Sequence, residues 1–431
     1  MYYDLVRIRY NSGTKRICEN CNQKCLATLY CEHCVRNYLK SNFSNWTSGN
    51  DDIDSLIQKC QMETLRPDTI VEWIPYNNFQ NIKFSIKDGF SEIYTAVWVD
   101  GYYKEWDCKK QQLKRFGPRN VVLKRLKNVE SANQSWFEEA KSYLTISFKW
   151  PDFVPCFGLT QDPSNGHYML VMNRMSLNLR EYLQQNHNQL TWEERVGITF
   201  EIINALFRIH QENAIHRNLH SGNILHSSRN DNWYMNDLGF CGPTNKPSTS
   251  VYGNLPYIAP EVLKGKGYTF KSDVYSIAML MWEISSGQPP FMNHDHDYNL
   301  AVNIINGMRP KIVSGTPLGY KRLIEQCWDA DPLKRPDIGT LWNKIDKMNL
   351  SYHQSNKSKN IRKFFKKINL FQLFKPKTNN NLETDRIKAI ETNYTGSRLF
   401  ASRVYKFENL PEPKNATKGI VDIVYLMFYY Y

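Results

Sequence analysis

Two sets of residues in this chain have types and spacings that could do chemistry. The first is Cys18, Cys21, Cys31 and Cys34, two Cys-x-x-Cys knuckles with nine residues between them. Each knuckle can turn two thiolates toward one ion, and four thiolates complete a tetrahedral zinc site. Four protein ligands leave no open position, so the site reads as structural. Cys25 and His33 are spare donors. Disulfides are the rival use of these thiols. The opening residues Met1 to Arg7 lack the charged-then-apolar pattern of a secretion signal, so a reducing, cytoplasmic setting is expected and metal is favoured.

The second set is dispersed. Lys124 closes the apolar run Val121, Val122, Leu123, and Glu139 is the next acid on a helical pattern, in Trp136–Lys141. A buried pair of this kind would hold an ammonium toward a phosphate, although many such lysines merely end an edge strand. Three fragments follow in order: Ile215–Leu225 with His216, Arg217, Asn218, His220 and Asn223; then Asp237, Leu238, Gly239; then Ala259, Pro260, Glu261.

These residues need elements to hold them. Strand-like runs begin near Trp73, and helical and strand periods alternate from there to Met348. Before them Ile53, Leu56, Ile57 and Cys60 mark a short helix started by Asn50 or Asp51. The length of 431 residues suggests two domains, and 41% hydrophobic residues exclude wholesale disorder. No repeat is visible. The formal net charge is +13, but residues 351–380 hold eight Lys or Arg and no acid, so a diffuse nucleic-acid surface is not expected. No apolar run approaches the ~18 residues of a membrane span.

The ordered fragments resemble the protein kinase family, whose motifs are a strand lysine, a His-Arg-Asp loop with a later Asn, Asp-Phe-Gly and Ala-Pro-Glu. The likeness continues through Lys271–Ser276 with a buried Asp273, Gly287–Phe291, Cys327-Trp328, Asp331-Pro332 and Arg335, the expected partner of Glu261. It implies an α+β, two-lobed kinase fold, with a small β-rich lobe and a large helical lobe, behind a small zinc-knuckle head. The expected divisions are 1–40 for the head, 41–78 for a linker with a short helix, 79–348 for the kinase domain, and 349–431 for a basic, largely flexible tail. It also implies ATP and magnesium. Lys124, oriented by Glu139, would neutralise phosphates; Asp237 and Asn223 would hold the metal; Met172 would back the nucleotide pocket, with Asn173, Arg174 and Met175 along the adenine edge. The head, the stretch Phe43-x-x-Trp46 to Asn50 and the kinase-like zone after it also resemble kinase-like families of mycorrhizal fungi, among tyrosine-kinase-like members.

Two departures limit what carries over. Asn218 stands where the family has the Asp that accepts or orients the acceptor hydroxyl, and an amide can take no proton. General-base contributions are ~10² to 10⁴ in rate, about 3 to 5 kcal/mol. With Ile93 aligned to the family's valine, Ile86, Asp88 and Ser91 replace the three loop glycines and only Gly89 remains, which weakens phosphate contact. His220 replaces a lysine usual in serine/threonine kinases, and Asn254 a threonine. The expected function is a signalling pseudokinase or very weak kinase with residual ATP binding. The alternatives are an active serine/threonine kinase in which His220 does the orienting, and an adaptor whose zinc head or tail carries the function. Expected partners are protein substrates or signalling proteins. Thr244, Ser248, Thr249, Ser250 and Tyr252 form a loop that an upstream kinase could modify. The pattern Ile361, Phe364, Phe365, Ile368, Phe371, with Arg362, Lys363, Lys366 and Lys367, makes 357–377 a basic amphipathic helix for an anionic membrane, an acidic partner or the large lobe itself.

Overall fold

The computed structural model describes residues 16–25, 30–88, 91–127, 135–243, 251–368, 402–407 and 410–415. Strands β1 (Arg16–Ile17) and β2 (Lys24–Cys25) pair antiparallel, and helix α1 (Glu32–Ser41) follows. Helix α2 (Asp51–Glu63) is capped by Asn50, whose side chain accepts from the N–H groups of Asp52 at 3.0 Å and Ile53 at 3.2 Å.

The small lobe is a six-stranded sheet in the order β3-β9-β10-β8-β5-β4. Its strands are β3 (Glu72–Trp73), β4 (Phe79–Asp88), β5 (Ser91–Trp98), β8 (Arg119–Arg125), β9 (Cys156–Gln161) and β10 (Tyr168–Asn173); hairpin β6 (Tyr103–Asp107) and β7 (Gln112–Arg115) is inserted before β8. Helix α3 (Trp136–Ile146) lies between β8 and β9. Successive strand residues face opposite ways. Val121 and Leu123 join Trp98, Phe157, Met169 and Val171 on one face. Val122, Lys124, Leu170 and Met172 are thereby turned to the other, the one that meets the large lobe. Gly158 lets β3 pair with β9: a Cβ there would lie 1.8 Å from Glu72 O.

The inserted hairpin holds the head. Trp106 and Leu113 share a buried cluster with Cys18, Cys31, Cys34, Val35 and Leu39. Tyr38 meets Trp106 edge-on at 5.6 Å, and Asn20 donates to Gln111 at 2.8 Å. The segment expected to be a linker is likewise built in. Ile53, Leu56, Ile57 and Cys60 are buried in the main core with α3, and Cys60 Sγ meets Leu144 O at 3.6 Å. The apolar stripe that marked this helix is the reason: it needs a partner, and the back of α3 supplies one.

The large lobe carries β11 (Leu177–Asn178), α4 (Leu179–Asn186), α5 (Trp192–Gln211), β12 (Ala214–Ile215), β13 (Ile224–Ser227), β14 (Asn232–Met235), β15 (Gly242–Pro243), β16 (Val251–Gly253), α6 (Pro260–Leu263), α7 (Phe270–Ser286), α8 (Tyr298–Ile305), α9 (Leu318–Cys327) and α10 (Ile338–Ile368). Capping boxes start α5 at Thr191 and α7 at Thr269, and α7 ends at Gly287 in the left-handed region. From Ser272 to Ser285 every residue of α7 is buried, which makes it the axis of the lobe. Arg335 binds Glu261 through both terminal guanidinium nitrogens, at 2.6 and 2.7 Å, with no access to solvent for the arginine head.

The C-terminal part differs from expectation. Helix α10 runs unbroken past Met348 to Ile368, because residues 340–375 contain neither Gly nor Pro and fading apolar periodicity alone does not stop a helix. The side chains of the 357–377 basic pattern lie outside the described residues. Residues 402–407 and 410–415 are not a free tail: they lie on the large lobe, with β17 (Arg403–Tyr405) paired to β16 and Leu410 buried in the core.

Candidate active site in the cleft between the lobes

Strand β8 delivers Lys124, and α3 delivers Glu139 one turn after its Ser135 cap. Lys124 Nζ sits 2.7 Å from Glu139 Oε1 and 2.8 Å from Asp237 Oδ1. Burial opposes the lysine's charge, but Asp237 and Glu139 outweigh it and hold Lys124 well above the usual amine range. Burial pushes Glu139 up against the pull of Lys124. Asp237 is also buried, yet Lys124 and the Asn218 amide bring its carboxyl down to about 2. Its backbone is left-handed, φ 58°, which aims the carboxylate back into the cleft. Tyr143, one helical turn beyond Glu139, adds its hydroxyl 3.4 Å from Lys124 and donates to Asn236 at 3.1 Å. Its i+4 spacing from Glu139 was the available signal for it.

The loop from His216 to Asn223 is held from below by Asp273 of α7. That carboxylate accepts from the N–H groups of His216 at 2.8 Å and Arg217 at 3.0 Å, and bonds His210 at 2.9 Å. Asn218 Nδ2 donates to Asp237 Oδ2 at 2.6 Å. Asn223 Nδ2 donates to Asn218 O at 2.9 Å and lies 3.3 Å from Asp237 Oδ2. With that nitrogen committed, the side-chain oxygen is the atom of Asn223 that could ligate a cation. Asp237 and Asn223 together offer hard oxygen donors of the kind magnesium takes, so the donor set fits. His220 Nε2 lies 2.9 Å from Asn223 Nδ2, and burial pushes the imidazole down to about 3, so it is neutral at pH 7.

The residues expected to face a nucleotide lie on neighbouring strands of the small lobe and at the end of β10. Ile93 lies opposite Lys124 and Ile86 opposite Ile93 in the sheet register. Met172 is buried at the back; Asn173 at the strand end accepts from Arg119 at 2.8 Å, and its amide lies 3.6 Å from Met175 Sδ. Asp88 pairs with Ser91 in register, and Gly89 lies outside the described residues.

Of the loop expected as an upstream kinase's target, Thr244, Ser248, Thr249 and Ser250 also lie outside the described residues. Tyr252 does not suit that role. It is buried, stacked between Phe240 at 4.3 Å and Tyr268 at 4.9 Å, and its backbone N–H donates to the Tyr268 hydroxyl at 2.9 Å. The apolar part of an aromatic ring outweighs its hydroxyl when a matching slot exists.

In the head, the sulfurs of Cys18, Cys21, Cys31 and Cys34 all lie within 4.8 Å of one another. Cys18 to Cys34 is 3.7 Å and Cys21 to Cys31 is 3.6 Å. Sulfurs ~2.3 Å from a tetrahedral zinc stand ~3.8 Å apart, so the set fits. The spare donors are engaged elsewhere: Cys25 Sγ lies 3.5 Å from Arg16 O and His33 Nε2 3.2 Å from Lys24 O.

Sequence reasoning missed Ser402. Its hydroxyl lies 3.0 Å from Asn218 Oδ1 and 3.2 Å from His220 Nε2. The alternation Val404, Lys406 against Tyr405, Phe407 is a weak strand signal, but nothing local to it names the cleft as its destination.

A family model described as "Protein tyrosine and serine/threonine kinase" matches residues 87–345. A probable serine/threonine-protein kinase of Dictyostelium discoideum is 29% identical over 241 residues, 53% of this chain and 18% of that protein. The dual specificity protein kinase zakA of the same organism is 30% identical over 196 residues, 42% of this chain and 25% of that protein. The human dual serine/threonine and tyrosine protein kinase is 33% identical over 178 residues, 40% and 18% respectively. The chain thus covers a quarter or less of these relatives' own lengths. Among the described residues no helix is long and apolar enough to cross a membrane.

Proposed function

The chain belongs to the protein tyrosine and serine/threonine kinase family, and from that premise we propose that it is a signalling protein that retains Mg-ATP binding and transfers phosphate poorly or not at all. One observation carries this reading. The group beside the acceptor position is Asn218, whose amide already donates to Asp237, and the neighbouring His220 is neutral. The amide takes no proton, and burial leaves the imidazole too weak a base to take one from an incoming hydroxyl at neutral pH. Lys124, locked between Glu139 and Asp237, would meet the phosphates, and Asp237 and Asn223 would hold magnesium, which neutralises charge building on the transferred group. The four cysteines would hold a structural zinc that fixes the head to the small lobe. Its partners are protein substrates or signalling proteins.

A specific observation favours the rival, an active serine/threonine kinase. Lys124, Glu139 and Asp237 stand assembled, with both ion pairs under 3 Å, the arrangement that phosphoryl transfer needs. Incorporation of labelled γ-phosphate into the full-length chain, compared between wild type and Lys124→Met, separates the two. Wild-type labelling that vanishes in Lys124→Met refutes the impaired reading. Its absence, with Mg-ATP binding retained by wild type and lost in Lys124→Met, supports it.

A further inference from the structure

The segment after residue 401 ends in the one place where an acceptor peptide would lie. Ser402 is buried with its hydroxyl on Asn218 and His220, the two residues that flank the acceptor position. From there the chain leaves as a strand. Arg403, Val404 and Tyr405 run antiparallel to Gly253, Tyr252 and Val251. The Tyr252 N–H and carbonyl are both spent on the Tyr268 hydroxyl. By the alternation of antiparallel ladders, the hydrogen-bonded pairs are therefore Gly253 with Arg403 and Val251 with Tyr405.

Beyond the strand a series of anchors continues. Tyr405 is hydrogen-bonded by the backbone of Leu255 and stacks on Phe407 at 5.4 Å, and Phe407 meets Tyr298 at 6.0 Å. Leu410 is buried, and its carbonyl accepts from Lys264. Glu412 bonds Lys266 at 2.8 Å. Lys414 donates its N–H to Ile305 O at 2.8 Å, and Asn415 bridges the Ala330 N–H at 2.8 Å and Asp329 at 3.0 Å. This is strand addition with side-chain pockets, a recurrent way of binding an extended peptide.

We propose that residues 402–407 and 410–415 are a tethered ligand of the acceptor-peptide groove, with Ser402 filling the place of the acceptor hydroxyl. The groove then takes an extended segment that carries a hydroxyl at that place, an aromatic ring three residues on, an apolar side chain eight residues on and an acid ten residues on. A second peptide of this pattern binds only when the tail has left. The assignment of the groove rests on the kinase reading, since that reading says where an acceptor lies. The occupancy rests on the contacts alone.

The test uses the full-length chain and a fluorescent peptide with the sequence of residues 400–415, read by anisotropy without nucleotide. Two full-length variants release the tail: Tyr405→Pro removes a ladder N–H, and Leu410→Asp removes the buried anchor. Tail occupancy lowers apparent affinity by the fraction of groove left open, so each folded variant is expected to bind the peptide at least tenfold more tightly than wild type. A peptide carrying the Leu410→Asp change should bind none of them. Should Leu410→Asp fail to fold, Tyr405→Pro, which alters a partly exposed position, carries the measurement. Hydrogen exchange at the amides of Val251 and Gly253 gives a second readout: slow in wild type, fast in the variants. Equal peptide affinity in all three proteins, or equal exchange at those amides, overturns the proposal. A chain that binds no Mg-ATP would end the reading of retained nucleotide binding while leaving the peptide result to stand, so the two failures are distinguishable.

Discussion

Asn218→Asp restores a carboxylate where the family keeps its proton acceptor, and the structure says what it costs. The amide now donates to Asp237 at 2.6 Å in a buried cleft. The substitution removes that hydrogen bond to a charged group, worth about 1.5 to 3 kcal/mol, and sets two carboxylates side by side. Like charges ~4 Å apart interact by roughly 4 kcal/mol at an effective dielectric of 20, or about three pKa units. Without magnesium the two carboxyls are therefore expected to share a proton. The variant should melt below wild type in chelator and recover when magnesium is added. In magnesium the restored carboxylate should speed labelling of the chain by γ-phosphate by ~10² to 10⁴, about 3 to 5 kcal/mol of barrier. The assay compares initial labelling rates of wild type, Asn218→Asp and the double variant with Lys124→Met, which should be silent. A variant whose stability magnesium restores, but whose rate stays at the wild-type value, would refute the reasoning: the missing carboxylate would not be what limits transfer.

Three further outcomes are expected. The purified chain should carry one zinc by elemental analysis, lost in Cys31→Ser, and its removal should change Trp106 fluorescence, since that ring packs on the cysteine cluster; a metal-free native chain would end the zinc reading. Arg335→Met leaves Glu261 buried without its bidentate partner and should cost about 3 to 5 kcal/mol in urea unfolding. Glu201 is pushed up to about 7 by burial, against the pull of the Trp233 N–H. A raised carboxyl contributes stability that is full below its unfolded value near 4.5 and lost as pH rises through 7. Glu201→Gln should then stabilise the chain at pH 8 by on the order of 2 to 3 kcal/mol, with little change at pH 4; an equal effect at both values would count against the shift.

What the sequence makes legible follows from range. Lys124, Glu139, Asn223 and Asp237 could be picked out because each sits in a local pattern that a strand, a helix or a loop imposes, and their order along the chain is set by the fold. Asn50 as a cap and Ile53, Leu56, Ile57 and Cys60 as a stripe were local too, but the surface they cover, the back of α3, is more than eighty residues away at Leu144. Periodicity tells that a face is buried and not against what. Tyr252 shows the same limit. A hydroxyl in a loop rich in Ser and Thr reads as exposed, and only the slot between Phe240 and Tyr268 puts it inside. The contact of Ser402 with Asn218 spans 184 residues of sequence, and no spacing rule reaches that far.

The unusual residues of the cleft belong together once Ser402 is placed among them. An aspartate at 218 would face Asp237 with the same charge, and a lysine at 220 would bring a second cation beside Arg180, which already helps keep His220 neutral. Asn218 and His220 instead offer neutral partners that bond to each other's neighbours and to a neutral hydroxyl. Asn218 takes Ser402 on its oxygen and gives Asp237 its nitrogen, so both ends of the amide are used. Buried polar groups are stable only when each finds a partner. With the tail seated, this set does so without nucleotide or metal, whereas the family's charged pair needs magnesium and phosphate to be balanced. The same substitutions that remove a proton acceptor thus favour a cleft closed on its own chain, and on the proposed reading weak transfer and a seated tail would be two consequences of one choice of uncharged side chains.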